Sequence, residues 1–292
     1  MSADPCPARS QHGFDLVEEE LSLNRYTRAG VSYPFVVLSG VYQPDEWTGI
    51  ALESAISALD MMPTAVRIHD IGTGSGVIPL LLTRLYPGRA FRFVCSDLKP
   101  ASGHNLALNY EVFGGTNPRP RFHRFDIRRA ETLPADDGPP ELVIANIPQL
   151  PAARGAETDW NPDDYHAVAP ADRNDPVRAF GLGLLMDVAA LTRAGHTGPF
   201  HMAFCRSSRI PPAVFDMFLS AIRGTIVTQG RRQRVKDGST PFATMADAED
   251  RFGLYGEYEW QGKALPARDL RGLSPVEDEI FIGLRSCLVR ID

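Results

Sequence analysis

Residues 66–77 of the chain read VRIHDIGTGSGV, an apolar run that passes directly into a loop of alternating glycines. Gly72, Gly74 and Gly76 allow a sharp turn and bring bare backbone close to a ligand, because glycine has no side chain. A dinucleotide-binding loop would follow the pattern G-x-G-x-x-G, in which a helix starts beside a pyrophosphate at the third glycine. Here the spacing is G-x-G-x-G and Val77 follows, so that fingerprint is absent. The loop indicates either a different ligand or a tight strand–helix turn without one.

Short apolar runs and amphipathic segments alternate along the chain after this loop. Alternation of strands and helices with crossovers of this length implies a mainly parallel sheet that is covered on both faces. We predict an α/β fold with a doubly wound, seven-stranded, mainly parallel sheet, in which the last two strands can form a hairpin. The predicted strands are 66–71, 91–96, 121–125, 142–145, 199–204, 226–233 and 279–284, and the predicted helices are 48–59, 76–85, 101–113, 176–193 and 211–222.

The chain divides by composition into an N-terminal segment and one large domain. Residues 1–45 are aromatic and lack a regular period, so we interpret residues 1–47 as a lid or cap. Residues 48–292 then form the α/β domain. Within it, residues 147–175 carry prolines, glycines and acids without periodicity, and irregular loops of this length in compact domains are usually functional. We predict that residues 147–175 form an active-site loop.

The composition limits the classes of function. The chain has 292 residues, 43% of them apolar, which suffices for a sizeable core. The sequence shows no membrane-spanning run and no secretory signal, and its four cysteines are widely separated, which predicts a cytoplasmic protein without a membrane partner. The net charge of −6 argues against a nucleic-acid partner, and we interpret the basic run 231–236 as a solvated strand edge or loop. The histidines lack metal-ligand spacing, so no metal site is predicted.

Acidic residues end the two strands that follow the glycine loop. Asp97 ends the second predicted strand and Asp126 follows the third, and open α/β sheets bind ligands at this carboxyl edge. The loop resembles the first motif of class I methyltransferases, which cradles the methionine part of S-adenosylmethionine. The resemblance implies S-adenosyl-L-methionine as the cofactor, with Asp97 accepting from the ribose hydroxyls and Asp126 from the adenine amino group. The predicted cofactor-binding residues are Asp70, Gly72, Thr73, Gly74, Gly76, Asp97, Asp126 and Asn146.

The fourth predicted strand is followed by residues 146–149, which read NIPQ. Their position matches the Asn-Pro-Pro-Tyr motif of methyltransferases that act on adenine or glutamine nitrogen. In that motif the asparagine binds an amino group and the aromatic ring stacks on a planar substrate. Ile147 replaces the first proline and Gln149 replaces the ring, so the stacking platform is absent and a planar acceptor is disfavoured.

The chain is similar in more detail to the methionine S-methyltransferases. The similarity rests on 147–149 (IPQ), 160–162 (WNP) and 180–184 (FGLGL), followed by Arg209 and Gln233, and it covers roughly residues 35 to 260. The resemblance is to stand-alone bacterial enzymes that make S-methylmethionine at the start of dimethylsulfoniopropionate synthesis, or for sulfonium natural products. It implies L-methionine as the acceptor. The family's Gly-Gly-Arg pattern is replaced here, because residues 205–209 read CRSSR.

A thioether acceptor explains why no catalytic constellation stands out in the sequence. A thioether has no proton to lose, so the reaction needs positioning and exclusion of water, and no general base is predicted. A guanidinium binds a carboxylate through two parallel hydrogen bonds, and aromatic ring faces attract a methyl-sulfonium. The predicted substrate-binding residues are Arg209 for the carboxylate, Asn146 and the Ile147 carbonyl for the ammonium, and the aromatic side chains of Tyr33, Tyr42, Trp47, Trp160 and Tyr165.

Two alternatives remain open from the sequence. The first is an N-methyltransferase that acts on a glutamine, a nucleobase or another small amine; it accounts for the sheet and for Asn146. The second is a non-catalytic module that binds S-adenosylmethionine and keeps the fold.

Overall fold

The computed structural model describes residues 21–62, 65–115, 118–134, 138–149, 174–237, 242–271, 273 and 279–292. Over these residues the strands are β1 (Ser22–Arg28), β2 (Val31–Val37), β3 (Ala65–Ile71), β4 (Ala90–Asp97), β5 (Arg121–Arg124), β6 (Leu142–Ala145), β7 (Phe200–Ser207), β8 (Gly224–Gln229), β9 (Gln233–Lys236), β10 (Tyr258–Trp260), β11 (Lys263–Leu265) and β12 (Ile280–Ile291). The helices are α1 (Glu46–Leu59), α2 (Val77–Leu85), α3 (Pro100–Phe113), α4 (Pro176–Ala179), α5 (Gly183–Ala194), α6 (Pro212–Ala221), α7 (Phe242–Phe252) and α8 (Ala267–Arg271).

One central sheet contains ten of these strands, in the order β11-β10-β12-β7-β6-β3-β4-β5, with β8 and β9 also paired to β12. Strands β5, β4, β3, β6 and β7 are mutually parallel, so their carboxyl ends lie on one edge of the sheet. The long strand β12 is antiparallel to all of its partners. This arrangement confirms the predicted α/β fold with a mainly parallel, doubly wound sheet, although the sheet has more than the seven strands predicted.

The core occupies both faces of the sheet. Along β6, Val143 and Ala145 belong to one buried cluster, with side chains of α4 to α7, and Leu142 and Ile144 belong to the other, with side chains of α1 to α3. Alternate residues of a strand point to opposite faces, so a strand that is buried on both faces is apolar at every position. This is why the run at residues 142–145 was recognisable from the sequence.

The prediction that residues 1–45 are irregular is wrong for the part that the structure describes. Strands β1 and β2 form an antiparallel hairpin with Ser22 opposite Val37 and Arg28 opposite Val31. The two residues between them, Ala29 and Gly30, both have positive φ (49° and 78°), as a tight type I′ hairpin turn requires. Over residues 22–37 the expected irregular cap is therefore a hairpin.

The prediction of one helix over residues 176–193 is also corrected. The structure has α4 and α5, with a turn between them at which Gly181 adopts a φ of 91°. Residues other than glycine strongly disfavour this conformation, and it ends α4 after one turn. The apolar residues of the break, Phe180 and Leu182, are buried like helix-face residues, which explains the misreading.

The C-terminal third differs most from the prediction. The predicted strand 226–233 is two strands, β8 and β9, separated by residues 230–232, although the Gly230 N–H still donates to the Ser286 carbonyl of β12 at 2.9 Å. The last strand, β12, is longer than predicted and does not form a simple hairpin with β8, since α7, β10, β11 and α8 lie between them in the chain. Those four elements were missed. The basic run does include a solvated strand, because all residues of β9 except Val235 are exposed.

In the described parts of the chain, Cys95, Cys205 and Cys287 are buried and unpaired with one another. None of the helices described is both long and apolar enough to cross a membrane.

Candidate functional site

The carboxyl edge of the parallel strands brings most predicted cofactor residues together. Asp70 lies in β3 between Cys95 of β4 and Ile144 of β6. Asp97 ends β4, and Asn146 directly follows β6. Because β3 is the central strand of this group, the glycine loop that follows it lies between the ends of its two neighbours.

The glycine loop uses its three glycines in two different ways. All three have positive φ: 70° at Gly72, 53° at Gly74 and 72° at Gly76. A Cβ on Gly72 would lie 2.7 Å from Ile147 Cγ2, and one on Gly76 would lie 2.3 Å from Leu106 Cδ1, so packing excludes side chains there. A Cβ on Gly74 would meet no atom nearer than one at 3.8 Å. The middle glycine therefore has an open face only in the sense that a side chain there would make ordinary van der Waals contact with Tyr42 and no clash.

Backbone hydrogen bonds hold the loop in this shape. The N–H groups of Gly72 and Thr73 both donate to the Ser96 carbonyl, at 2.8 and 3.0 Å, and the Gly76 N–H donates to the Thr73 carbonyl at 2.9 Å. Strand β4 thus fixes the start of the loop as well as pairing with β3. A loop fixed in this way is prepared for a ligand before the ligand arrives.

Asp97 joins the end of β4 to the glycine loop. Its Oδ2 accepts from the Gly74 N–H at 2.9 Å and its Oδ1 from the Lys99 N–H at 2.9 Å. The side chain is almost fully buried. Each carboxylate oxygen has a second lone pair, so both can still accept a hydrogen bond from a ligand.

Asp70 lies behind the loop and is only 1% exposed. Its Oδ2 accepts from the Thr73 hydroxyl at 2.5 Å. Its buried Oδ1 has no hydrogen-bond partner among the residues that the structure describes. Burial raises the pKa of this carboxyl from 3.8 to about 7; the Thr73 hydrogen bond lowers that pKa and the negative charge of Asp97 raises it. A buried acid that lacks a partner is a place where a cation would be stabilised.

Asp126 lies at the same edge, after β5, but its visible contacts are local. Its Oδ1 accepts from the backbone N–H of Arg128 at 3.0 Å, and the guanidinium groups of Arg128 and Arg129 lie 3.3 and 3.4 Å from its carboxylate. The side chain is 15% exposed. The structure therefore orients this carboxylate without joining it to the glycine loop.

Asn146 is tied to the start of α1. Its Nδ2 donates to Thr48 Oγ1 at 3.1 Å, and Thr48 forms a reciprocal capping box with Asp45. Asp45 Oδ2 in turn accepts from the Tyr42 hydroxyl at 2.6 Å. This chain of contacts runs from the surface to the end of β6. The roles of Asp45 and Thr48 were missed, although an acid three residues before a threonine at a predicted helix start signals such a cap.

Tyr42 lies beside the loop, whereas Tyr33 does not. The Cβ of Tyr42 is the atom nearest to the open face of Gly74, and the side chain is 58% exposed. Burial and the Asp45 carboxylate raise the pKa of the Tyr42 hydroxyl above its ordinary value. Tyr33 packs on Tyr26 and on the guanidinium of Arg84, in the last turn of α2 and thus at the end of that helix away from the glycine loop.

The side chains of Arg209 and Trp47 lie close together. The Arg209 guanidinium carbon lies 5.1 Å from the centre of the Trp47 ring. Arg209 is only 3% exposed; its Nη1 lies 3.7 Å from Asp237 Oδ1 and its Nη2 donates to the Gln149 carbonyl at 3.4 Å. This cation is therefore buried in a polar cluster, and Asp237 is a member of that cluster that was not predicted.

Gln149 occupies the position that an aromatic ring takes in the Asn-Pro-Pro-Tyr motif. Its side chain is buried and its Nε2 donates to the Cys205 carbonyl, whereas its Oε1 has no partner among the described residues. The substitution thus makes a structural link between β6 and β7. The predicted aromatic residues Trp160 and Tyr165, with residues 150–173 of the expected active-site loop, lie outside the described residues.

No family profile matches the chain. Part of the chain is similar to the release factor glutamine methyltransferase of Chlorobaculum tepidum, with 33% identity over 129 residues, or 42% of this chain and 42% of that protein. The match therefore spans less than half the length of this curated relative.

Solved structures also resemble the chain. A methyltransferase from Thiobacillus denitrificans, in complex with S-adenosyl-L-homocysteine, is 12% identical, with 85% of this chain and 93% of that chain covered and a TM-score of 0.41. The M. jannaschii protein TYW2, in complex with AdoMet, is 8% identical, with 92% of this chain and 87% of that chain covered and a TM-score of 0.43. Because both TM-scores are low, these likenesses carry no information about the substrate of this chain.

Proposed function

We propose that the chain transfers a methyl group from S-adenosyl-L-methionine to a small-molecule acceptor. The observation that carries the proposal is the open face of Gly74, in a loop whose ends are fixed by packing and whose amide is fixed by Asp97. Uncrowded glycine backbone at the carboxyl edge of a parallel sheet suits a ligand that must approach closely. The local identity to the C. tepidum methyltransferase supports the same assignment.

The polar groups around the loop fit this cofactor. Asp97 offers two oxygens that suit a pair of ribose hydroxyls, and Asp126 offers an acceptor for the adenine amino group. The unpartnered Oδ1 of Asp70 suits the positive charge of the methionine part. When bound, the cofactor supplies an electrophilic methyl group on a cationic sulfonium.

The acceptor that we propose is the thioether sulfur of L-methionine, which would give S-methylmethionine. A sulfur without a proton needs no base, so the chain has only to hold the acceptor in line and exclude water. One N–H of the Asn146 amide donates to Thr48 and so orients the side chain, whose carbonyl oxygen can accept from the substrate ammonium. Trp47 and Arg209, which lie together, would provide a ring face for the sulfonium and a charge for the carboxylate.

A second candidate acceptor is an amide or amine nitrogen, as in a glutamine side chain. The partial relative, whose name states glutamine as its substrate, favours this candidate. Asn146 would hold the substrate amide in the same position. The buried, hydrogen-bonded side chain of Gln149 disfavours it, because no ring stands at that position to stack on a planar amide.

The test is a mass-spectrometric assay of the purified chain with S-adenosylmethionine and one acceptor at a time: L-methionine, a glutamine-containing peptide, or a nucleoside. Formation of S-methylmethionine with an equal amount of S-adenosylhomocysteine would support the first acceptor. Methylation of the peptide or of the nucleoside alone would overturn it in favour of the nitrogen acceptor. Binding of S-adenosylhomocysteine without turnover on any acceptor would point to a non-catalytic binding module.

The control for the assay is the Gly74→Arg variant, which fills the open face without removing a charged group. Loss of both binding and turnover in this variant is expected. Unchanged binding of S-adenosylhomocysteine by Gly74→Arg would show that the cofactor binds elsewhere, and would overturn the whole proposal.

A further inference from the structure

A single buried side chain contacts both the N-terminal hairpin and the glycine loop. Asn109 lies on α3 and is fully buried. Its Nδ2 donates to the Ser75 carbonyl at 2.8 Å and to the Val36 carbonyl at 2.9 Å, and its Oδ1 accepts from the Val36 N–H at 2.8 Å. Both Nδ2 protons and the amide oxygen are therefore used, two of the three bonds on the hairpin and one on the loop.

On the edge of β2 away from β1, the asparagine side chain bonds to backbone groups that a further strand would otherwise pair with. The N–H and the C=O of Val36 point away from its partner strand β1, and both are satisfied by Asn109. One turn earlier on α3, Asn105 accepts from the Leu38 N–H at 2.8 Å and donates to the Val36 carbonyl at 2.9 Å. Residues four apart on a helix lie on the same face, so the two asparagines form a continuous edge for the hairpin.

The two asparagines differ in one respect. The side chain of Asn105 bonds to Val36 and Leu38, whereas that of Asn109 also donates to the Ser75 carbonyl, the last one before Gly76. Between them on α3 lies Leu106, against which Gly76 is packed. Loss of one hydrogen-bond partner lowers stability more at a buried amide than at a surface amide, because the group left unpaired cannot hydrogen-bond to water instead.

We propose that Asn109 is a positioning residue that couples docking of the N-terminal hairpin to the conformation of the glycine loop. The hairpin is then part of the support of the cofactor site, and loosening it loosens the loop. The link to cofactor affinity rests on the proposed function, whereas the mechanical coupling does not.

The first test is hydrogen–deuterium exchange of the ligand-free protein, read on peptides that cover residues 31–38 and 72–78. In Asn109→Ala, exchange should rise about tenfold on both peptides, which corresponds to one buried hydrogen bond. In the matched variant Asn105→Ala, exchange should rise on the hairpin peptide and clearly less on the 72–78 peptide, because the intact Asn109 still holds the Ser75 carbonyl. Equal exchange of the 72–78 peptide in the two variants, or no change in Asn109→Ala, would overturn the coupling.

A second variant perturbs the hairpin from its far end and avoids the buried asparagines. Gly30 has a φ of 78° and open space around it, so Gly30→Val strains the hairpin turn without touching α3. Coupling predicts faster exchange at residues 72–78 in Gly30→Val, and no further increase when Gly30→Val is added to Asn109→Ala. If the hairpin peptide responds to Gly30→Val and the 72–78 peptide does not, the hairpin and the loop are independent.

The effect of the two variants on cofactor affinity is measured by calorimetric titration with S-adenosylhomocysteine. The dissociation constant should rise about tenfold in Asn109→Ala and less than about twofold in Asn105→Ala. A merely structural role would lower the melting temperature of both variants and leave this difference absent. If the wild-type chain does not bind S-adenosylhomocysteine, the proposed function fails while the exchange experiment still decides the coupling.

Discussion

The backbone N–H of Gly74 donates to Asp97 Oδ2 at 2.9 Å, and this bond joins the open face of the glycine loop to the end of β4. The same carboxylate accepts from the Lys99 N–H, so Asp97 fixes the loop and the start of α3 together. The position of a ligand on Gly74 and the contacts of that ligand with Asp97 are therefore set by one side chain.

Replacing this carboxylate should weaken cofactor binding more than folding. In Asp97→Ala both backbone N–H groups lose their acceptor, and we expect the dissociation constant for S-adenosylhomocysteine to rise about 10- to 100-fold. The control is Asp187→Ala, which removes the ion pair between Asp187 on α5 and Arg178 on α4. Titration calorimetry on both variants is the measurement. A loss of affinity in Asp187→Ala as large as that in Asp97→Ala would contradict the role given to Asp97.

A substitution at Gly74 can separate two effects: backbone strain, which lowers stability, and a clash with the ligand, which lowers affinity. Gly74→Ala fits the ligand-free chain, since its Cβ would lie 3.8 Å from the nearest atom, and the cost is the positive φ of 53°, about 1 kcal/mol. Gly253, with a φ of 64° and nothing within 4 Å, is the matched site. Both alanine variants should lose similar stability in thermal melts, but only Gly74→Ala should lose affinity for S-adenosylhomocysteine.

Retained affinity in Gly74→Ala, with the expected loss of stability, would show that no ligand approaches this backbone. A larger stability loss in Gly74→Ala than in Gly253→Ala would instead mean that the face is not open.

The strands around β3 and the positions of the glycine loop and of Asp97 were predictable because their signals are local. Buried parallel strands read as continuous apolar runs, and β6 has the bounds predicted for it. The glycine loop follows a strand directly, and Asp97 ends the next one, so neither needs knowledge of a distant contact. The division of the predicted helix into α4 and α5 at Gly181 was not predictable in this way, since the apolar residues on either side continue the helical pattern. Nor was the hairpin turn at Ala29, because alanine gives no sign of a positive φ.

The supporting residues of the site could not be predicted, because their roles depend on contacts between distant positions. Thr48 and Asn146 are 98 positions apart, and Asn109 and Val36 are 73 apart. A lone asparagine in a helix or a threonine near its start carries no signal of such a partner. Arg209 was predicted from resemblance, but its burial against Asp237 follows from the path of β9, which the sequence pattern merged with β8.

The buried carboxyl of Asp70 should make stability depend on pH. Burial raises the pKa of this carboxyl from 3.8, the ordinary value of an exposed aspartic acid, to about 7, so the folded state binds the proton more tightly. The free energy of unfolding is therefore highest, as far as this group is concerned, below about pH 4. It falls by roughly 2–4 kcal/mol as the pH rises towards 7. Asp70→Asn does not titrate, so in thermal melts it should be more stable than the wild type at about pH 8 and differ little below about pH 4.

The same carboxyl should make binding of a cation depend on pH in the opposite sense. The ionised form of Asp70 favours a positively charged ligand, so the affinity for S-adenosylmethionine should rise as the pH passes through about 7. In Asp70→Asn the affinity should be lower at about pH 8 and should not change across this range. A wild-type affinity that is equally flat with pH would mean that Asp70 does not face the charge of the ligand.

The contact between Thr48 and Asn146 separates acceptor binding from cofactor binding. Thr48→Val keeps the shape of the side chain but leaves the Asn146 amide without its acceptor at 3.1 Å. The carboxamide is then free to rotate, so we expect kcat for methyl transfer to fall about tenfold while the affinity for S-adenosylhomocysteine stays within about twofold. The control is Thr192→Val, because the hydroxyl of Thr192 bonds only to the Val188 carbonyl in its own helix α5. Steady-state kinetics of both variants with each acceptor would show for which acceptor kcat falls. If Thr48→Val lowers cofactor affinity as much as kcat, Asn146 belongs to the cofactor side of the site and the acceptor must be held by other residues.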